Sequence, residues 1–436
     1  MERRNFLLGS GAMPFVGVLP LSKPDLEPSA FVRKWNIRGK VVRNVTTISE
    51  FNAAVTRAAP GDNINISAGA YAGKITVNGR SFAGAPLTVT ASGPIRAKKF
   101  ECRASANVVW DFNGQHIYFE DPNASSDSPF FDLSGARNCT VKNAHFHGYN
   151  GLGRCFYIIG RNGFHDGVTI FNNKIEGFFR GIVSWNGSNF SILRNEIFYT
   201  TGDHMQFGAL FGALIEGNYI HSTVGDGPGR THSDAIQFVN YNSNVGEVAE
   251  RVTIRSNIID VRDGPEYMQS IFIANEVVDG VRGVRHPELK GDRRVYYKDF
   301  LIEENVIYNL QTHGITVGAC DGLTIRKNTL IKPAFNYSRY PNQPNTYPAI
   351  RLAGRYAHVN VSITDNVSGS YSINQKPTGT FVNRNNLTIL SSAYTANFDQ
   401  GAKPYQAYAL GPNNWKVKAG SPVDRAQAGA SSMLSN

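Results

Sequence analysis

The chain has 436 residues, of which 18% are charged and 41% hydrophobic, with 43 glycines and a formal net charge of +10. This composition excludes a disordered or coiled-coil chain and suits a β-rich protein with many tight turns. No run of 18 apolar residues occurs, so no membrane-spanning helix is expected. The cysteines (Cys102, Cys139, Cys155, Cys320) contain no C-x-x-C pair, which argues against a zinc site.

In chain order, the first segment is "MERRNFLLGSGAMPFVGVLPLS". Arg3-Arg4-Asn5-Phe6-Leu7, an apolar stretch and then Lys23-Pro24 resemble a twin-arginine export signal. This predicts a leader over residues 1–28, a single domain over 29–436, and a periplasmic or secreted location. One disulfide could form there, but thiols buried in a β core are the expected state. Removing the leader leaves the net charge unchanged. A basic exported protein attracts an anionic partner. With no nucleic-acid motif, the expected partner is an acidic polysaccharide, with no membrane insertion; the sequence leaves the oligomeric state open.

Next comes "TTISEFNAAVTRAAPGDNINISAGAYAGKITV", which predicts a short amphipathic helix with Phe51, Val55 and Ala58 on one side. Pro60-Gly61-Asp62 then turns the chain into a first coil. Over residues 45–95 this opening resembles the N-terminal cap of parallel β-helix polysaccharide lyases related to chondroitinase B and alginate lyases. Their Asn-Lys-Ser and Leu-Arg-His-Gly motifs do not occur here, so no catalytic Lys/Arg pair is carried over. The segment "KVKAGSPVDRA" (416–426) is similar to closing segments of bacterial β-helix proteins.

Between these ends lies a repeat. In "VTIFNNKI", "FSILRNEI", "ALIEGNYI", "VTIRSNII", "FLIEENVI", "LTIRKNTL" and "VSITDNVS" an Ile is followed three residues later by an Asn. The pairs are Ile170/Asn173, Ile192/Asn195, Ile215/Asn218, Ile254/Asn257, Ile302/Asn305, Ile325/Asn328 and Ile363/Asn366, spaced 22, 23, 39, 48, 23 and 38 residues. A base period of 22–23 residues is too short for a βαβ unit and suits one coil of a parallel β-helix. The Ile residues predict an interior stack, and the Asn residues a bend with stacked side-chain amides. The predicted fold is therefore all-β, a right-handed parallel β-helix solenoid with an N-terminal cap helix; in this it resembles the pectate-lyase-like superfamily.

A second column contains "RGIVS", "DHMQF", "DAIQF", "QSIFI", "HGITV" and "PAIRL". Ile182, Met205, Ile236, Ile271, Ile315 and Ile350 mark its interior positions. Alternation predicts an outward row of Val183, Gln206, Gln237, Phe272, Thr316 and Arg351. An entrance row of Arg180, Asp203, Asp234, Gln269, His313 and Pro348 is placed on the bend. Asp203 and Asp234, 31 residues apart, become neighbours on adjacent coils. Insertions at 224–233, 240–250, 274–299 and 333–347 flank this column, where binding loops are expected. Residues 281–298 add basic groups (Arg282, Arg285, Lys290, Arg293, Arg294, Lys298), and 333–347 adds Phe335, Tyr337, Tyr340 and Tyr347.

Asp, Gln and His on one face suit β-elimination of a uronate, which needs a carboxylate binder, a base for the C5 proton and a donor for the leaving oxygen. The candidate catalytic residues are Asp203, His204, His232, Asp234 and His313. The candidate binding residues are Arg180, Gln206, Arg230, Gln237 and Arg351. C5 epimerisation shares the first step. "HSDAIQ" and "THGITVG" loosely resemble motifs of polygalacturonase-like hydrolases, which would make Asp203 and Asp234 acid and base. The paired Asp-Asp of that family is missing, and its Arg-x-Lys is reduced to Arg351-Leu352-Ala353. A non-catalytic glycan-binding β-helix is the remaining reading. No metal ligand set and no required cofactor are read from the sequence, although the Asp pair could hold Ca²⁺. His145, His147, His221 and His358 are read as structural, and Phe164-His165-Asp166-Gly167 as a turn.

Overall fold

The computed structural model describes residues 41–160, 164–225, 233–240, 248–261, 268–275, 291–332, 346–400 and 415–434. The predicted leader and most of the four predicted insertions lie outside them. Within them the chain is built mostly of short strands, paired in parallel with the equivalent strand one coil further on, apart from an antiparallel pair, Phe398–Gln400 with Trp415–Val417. The pairings resolve into three sheets. Sheet one runs through Pro129–Asp132, Arg154–Ile159, the start of Arg180–Leu193, the start of Met205–Glu216, Ser233–Val239, Met268–Ala274, His313–Val317, Ala349–Leu352 and Ser370–Ile373. Sheet two takes the ends of Arg180–Leu193 and Met205–Glu216 into Glu250–Arg255, Tyr297–Glu303, Cys320–Arg326, Val359–Thr364 and Thr378–Arg384. Sheet three stacks the end of Thr140–His147, Lys174–Glu176, Glu196–Phe198, Tyr219–His221, Ile258–Asp260, Val306–Tyr308 and Thr329–Ile331.

The predicted Ile stack forms as expected. Ile170, Ile192, Ile215, Ile254, Ile302, Ile325 and Ile363 pair rung by rung in sheet two, and all are buried. Their Asn partners turn the corner into sheet three. Each of Asn173, Asn195, Asn218, Asn257, Asn305, Asn328 and Asn366 donates its Nδ2 to the Oδ1 of the next Asn, at 2.9–3.1 Å, and the run ends on Asn386. The same Oδ1 atoms accept the backbone N–H of the preceding ladder Asn. The residue before each ladder Asn is left-handed: Asn172, Arg194, Gly217, Ser256, Glu304, Lys327, Asp365 and Asn385 have φ between 52° and 67°. A sharp corner needs that conformation, and it leaves corner N–H groups that no strand can satisfy. The amide ladder satisfies them.

The cap helix Ile48–Arg57 buries Phe51, Ala54 and Val55. Thr47 accepts the Glu50 N–H at 3.1 Å, while the Glu50 carboxylate takes the Thr46 N–H at 2.7 Å. Phe51 stacks on Trp110 at 6.2 Å, at the head of an aromatic core that includes Phe100, Phe112, Phe131, Phe146 and Phe156. The four cysteines are free and buried. Near the C-terminus, Val423 packs with Ile331, Val367 and Phe398 in a second apolar cluster. Among the described residues no helix is long and apolar enough to cross a membrane.

The ladder yields a graded prediction. Asn218→Ala removes a buried acceptor and donor at mid-ladder and strands the Asn195 N–H and the Ile192 carbonyl. It should cost about 2–4 kcal/mol, whereas Asn386→Ala at the half-exposed end should cost about 1 kcal/mol or less. Urea-unfolding midpoints of the two variants check this; equal shifts would contradict a buried ladder.

Candidate functional site

The outward row of sheet one is in the predicted register. Val183, Gln206, Gln237, Phe272, Thr316 and Arg351 pair on consecutive rungs, and Ile182, Met205, Ile236, Ile271, Ile315 and Ile350 pair beneath them. Rungs about 4.8 Å apart put Gln237 and Arg351 about 14 Å from each other along the sheet. The entrance row departs at its far end. Asp234 pairs with Gln269 as expected, but His313 pairs with Ala349 rather than Pro348, because the register shifts between His313 and Ile315.

Asp203 and Asp234 are joined across their rungs. The Asp203 Oδ1 accepts the backbone N–H of Asp234 at 3.1 Å, and its Oδ2 accepts Gln206 Nε2 at 3.0 Å and Arg180 Nε at 3.2 Å. Gln206 Nε2 also donates to Gln237 Oε1 at 2.6 Å, and Gln237 Nε2 donates to Asp234 Oδ2. The repeated Asp-x-x-Gln unit is thus a pair of carboxylate–amide clasps, linked Gln to Gln and held at one end by a guanidinium. Asp203 is 6% and Asp234 0% exposed, so both carboxyl groups are held by hydrogen bonds rather than by water. The rungs also meet closely: a Cβ on Gly181 would lie 2.5 Å from the His204 carbonyl oxygen, so only glycine fits in "RGIVS".

Two rungs beyond Asp234, His313 is set among Phe272, Thr316 and Arg351. Its Nδ1 lies 3.0 Å from Thr316 Oγ1, its ring meets Phe272 edge-on at 5.2 Å, and Arg351 Nη1 is 3.5 Å from both ring nitrogens. A base-capable imidazole and an anion-binding guanidinium therefore share one half-buried spot.

The remaining candidates are placed differently. Arg230 and His232 lie outside the described residues, as do Arg282, Arg285, Lys290, Phe335, Tyr337 and Tyr340. His204 is fully buried and sits apart from the outer face: its Nε2 bonds the His221 carbonyl oxygen at 3.1 Å, and burial pushes its pKa down to about 4. It directly precedes the inward Met205 at the corner, where alternation does not yet hold. Of the histidines read as structural, His358 is buried, with Nε2 on the Ala353 carbonyl. His145 and His147, however, come together with His116 on sheet three, a grouping the sequence reading missed. The signal was the H-x-H spacing, which on a strand points both imidazoles to one side.

No family model and no curated protein matches the chain. Solved structures do resemble it. A Dettilon tailspike protein is 12% identical over 78% of this chain and 62% of its own, with a TM-score of 0.50. The surface adhesin PfbA of Streptococcus pneumoniae is 14% identical over 80% and 91%, with a TM-score of 0.46. A polygalacturonase from Erwinia carotovora is 11% identical over 82% and 99%, with a TM-score of 0.44. The likeness to the tailspike protein concerns the fold alone, the stacked coils of parallel strands described above.

Three buried imidazoles predict acid sensitivity. His165, His204 and His358 each have a pKa near 4, chiefly because burial disfavours the charged ring. Between pH 6.5 and 4 the unfolded chain binds protons that the folded chain refuses, so stability falls as pH drops through that window, by up to about 1.4 kcal/mol per pH unit per ring. His204→Gln should flatten the fall in melting temperature between pH 6.5 and 4; an unchanged slope would contradict the buried neutral ring.

Proposed function

We propose that the protein is an exported enzyme that cleaves an acidic, uronate-containing polysaccharide by β-elimination, on coils that wind right-handed as nearly all crossovers between parallel strands do. The observation that carries this reading is the contact of His313, at the entrance of its strand, with Arg351 of the outer row of sheet one. In the reaction Arg351 neutralises the uronate carboxylate, which acidifies the C5–H bond. His313, with Nδ1–H donated to Thr316 Oγ1, takes the C5 proton through Nε2. The C5–H electrons form the C4=C5 double bond, the C4–O bond breaks, the leaving oxygen takes a proton from water, and the proton on His313 returns to solvent. The clasp of Arg180, Asp203, Gln206, Gln237 and Asp234 occupies the strands two to four rungs from His313, about 10–19 Å along the sheet, and suits neighbouring sugar hydroxyls. Arg230 and His232 keep their predicted parts as binder and second base candidate. The net charge of +10 favours capture of a polyanion. No cofactor is required by this scheme.

The direct junction of Asp203 with Asp234 supports a second reading, glycoside hydrolysis with these carboxyls as acid and base.

The test is ultraviolet absorbance of unsaturated uronate ends as the purified protein meets a panel of acidic polysaccharides. The lyase reading expects rising absorbance on one of them, a loss of about 10²–10⁴-fold in kcat for His313→Ala, a raised KM for Arg351→Gln, and residual turnover in Asp234→Asn. New reducing ends without absorbance, abolished by Asp203→Asn or Asp234→Asn and indifferent to His313→Ala, would replace elimination by hydrolysis. Activity unchanged by EDTA would exclude Ca²⁺ held by the Asp pair.

A further inference from the structure

The three histidines of sheet three lie on neighbouring rungs. His116 pairs with His145, and Tyr118 with His147, while Glu176 on the next rung pairs with His147. Alternation explains the grouping. Ile117 and Phe146 point inward and are fully buried, so His116, Tyr118, His145 and His147 all face outward. One ring nitrogen from each histidine lies within 4.8 Å of the other two.

The contacts inside the cluster are those of a ligand set. His116 Nδ1 is 2.8 Å from His147 Nε2, a separation at which two ring nitrogens share one proton or yield it to a cation. His147 Nδ1 is 2.6 Å from Glu176 Oε1. A proton on Nδ1, donated to that carboxylate, leaves the Nε2 lone pair aimed at His116, which is the arrangement in which carboxylates orient metal-bound imidazoles. His145 Nε2 lies 3.3 Å from the same Glu176 oxygen and is shielded from water. The rings are also pre-positioned: Tyr118 stacks on His147 at 4.5 Å, and the Arg96 guanidinium sits 4.5 Å over Tyr118. Lys174, the cation beside His145 in the register, is bound to Glu196 at 2.9 Å. That leaves Glu176 as the anion facing the three imidazoles.

We propose that His116, His145 and His147 form a binding site for one divalent transition-metal ion of the zinc class, with Glu176 orienting His147 and a fourth coordination position open to solvent. Imidazole nitrogens suit zinc, copper and nickel rather than magnesium or calcium. Zinc–nitrogen bonds of about 2.0–2.1 Å place tetrahedral donors about 3.4 Å apart, so small ring rotations convert the cluster into a coordination shell. His116 is exposed at the rim, which gives an ion an entry path. The bound ion would tie together the coils carrying Val108–Phe119 and Thr140–His147, away from the sheet-one site.

Isothermal titration of untagged, EDTA-treated protein with zinc chloride tests the site, and titration with Co²⁺ gives an optical readout of the ligand field. The proposal expects one equivalent of Zn²⁺, a visible Co²⁺ absorption, affinity lowered at least 100-fold in His116→Ala and in His147→Ala, and a 10–100-fold loss in Glu176→Gln. Circular dichroism of each variant confirms the fold. Should His147→Ala not fold, the rim variant His116→Gln decides alone. Absence of a one-equivalent isotherm, or the same affinity in the His116→Ala protein, would overturn the assignment.

Discussion

The corner between sheets two and three is the constraint on which the other features depend. A strand pairing displaced by one residue exchanges its inward and outward side chains, so a site made of single residues from many coils needs the phase of every coil fixed. The amide ladder from Asn173 to Asn386 fixes it. Each ladder Asn bonds its neighbour through both its amide and its main chain, and each follows a left-handed residue. The Ile three positions earlier is then forced inward. Sheet one inherits that phase through the continuous strands Arg180–Leu193 and Met205–Glu216, which span both sheets.

With the phase set, chemistry is written one residue per rung. Arg180 and Arg351 are far apart in sequence, yet both lie on one face because every intervening coil returns to the same place. Loop insertions change coil length without disturbing this, since length is absorbed between strands rather than within them. The result resembles a keyboard more than a pocket: a clasp of carboxylates and amides at Asp203 and Asp234, an apolar step at Phe272, and an imidazole–guanidinium pair at His313 and Arg351. In the proposed reaction a linear polymer lying along the sheet would meet these groups in order.

The parts of this arrangement legible in the sequence are those carried by repetition. The Ile-x-x-Asn pattern revealed the stack, the corner and the outward row, because identical chemistry recurred at each coil. The junction of Asp203 with Asp234 was legible for the same reason. What failed was phase at the corners. His204 stands one residue ahead of Met205, before alternation begins, and its ring enters the interior to bond the His221 carbonyl. Pro348 gave way to Ala349 at the shift beside His313, a one-residue slip that no side-chain pattern announced. The H-x-H spacing put His145 and His147 on one side, but the register that adds His116 was illegible for a further reason. The cluster stands in coils before Ile170, where the corner carries no Ile-x-x-Asn motif, so the register of sheet three there could not be counted from the sequence.

The two outward clusters also differ in how their polar groups are satisfied. In sheet one the carboxyl groups of Asp203 and Asp234 are nearly or fully shielded and each accepts a hydrogen bond from a glutamine amide, so the geometry is preorganised by the protein alone. In sheet three three neutral-capable donors converge on one space with a single carboxylate behind them, and the His116–His147 contact joins two nitrogens that cannot both keep a proton. Stacked coils make such convergence easy to build, because a histidine on one rung places its ring about 4.8 Å from a histidine on the next. They also keep it local, since each coil contacts chiefly its neighbours. Charge or coordination changes at Glu176 are therefore felt first by the coils at His147 and Phe198, its partners in the register.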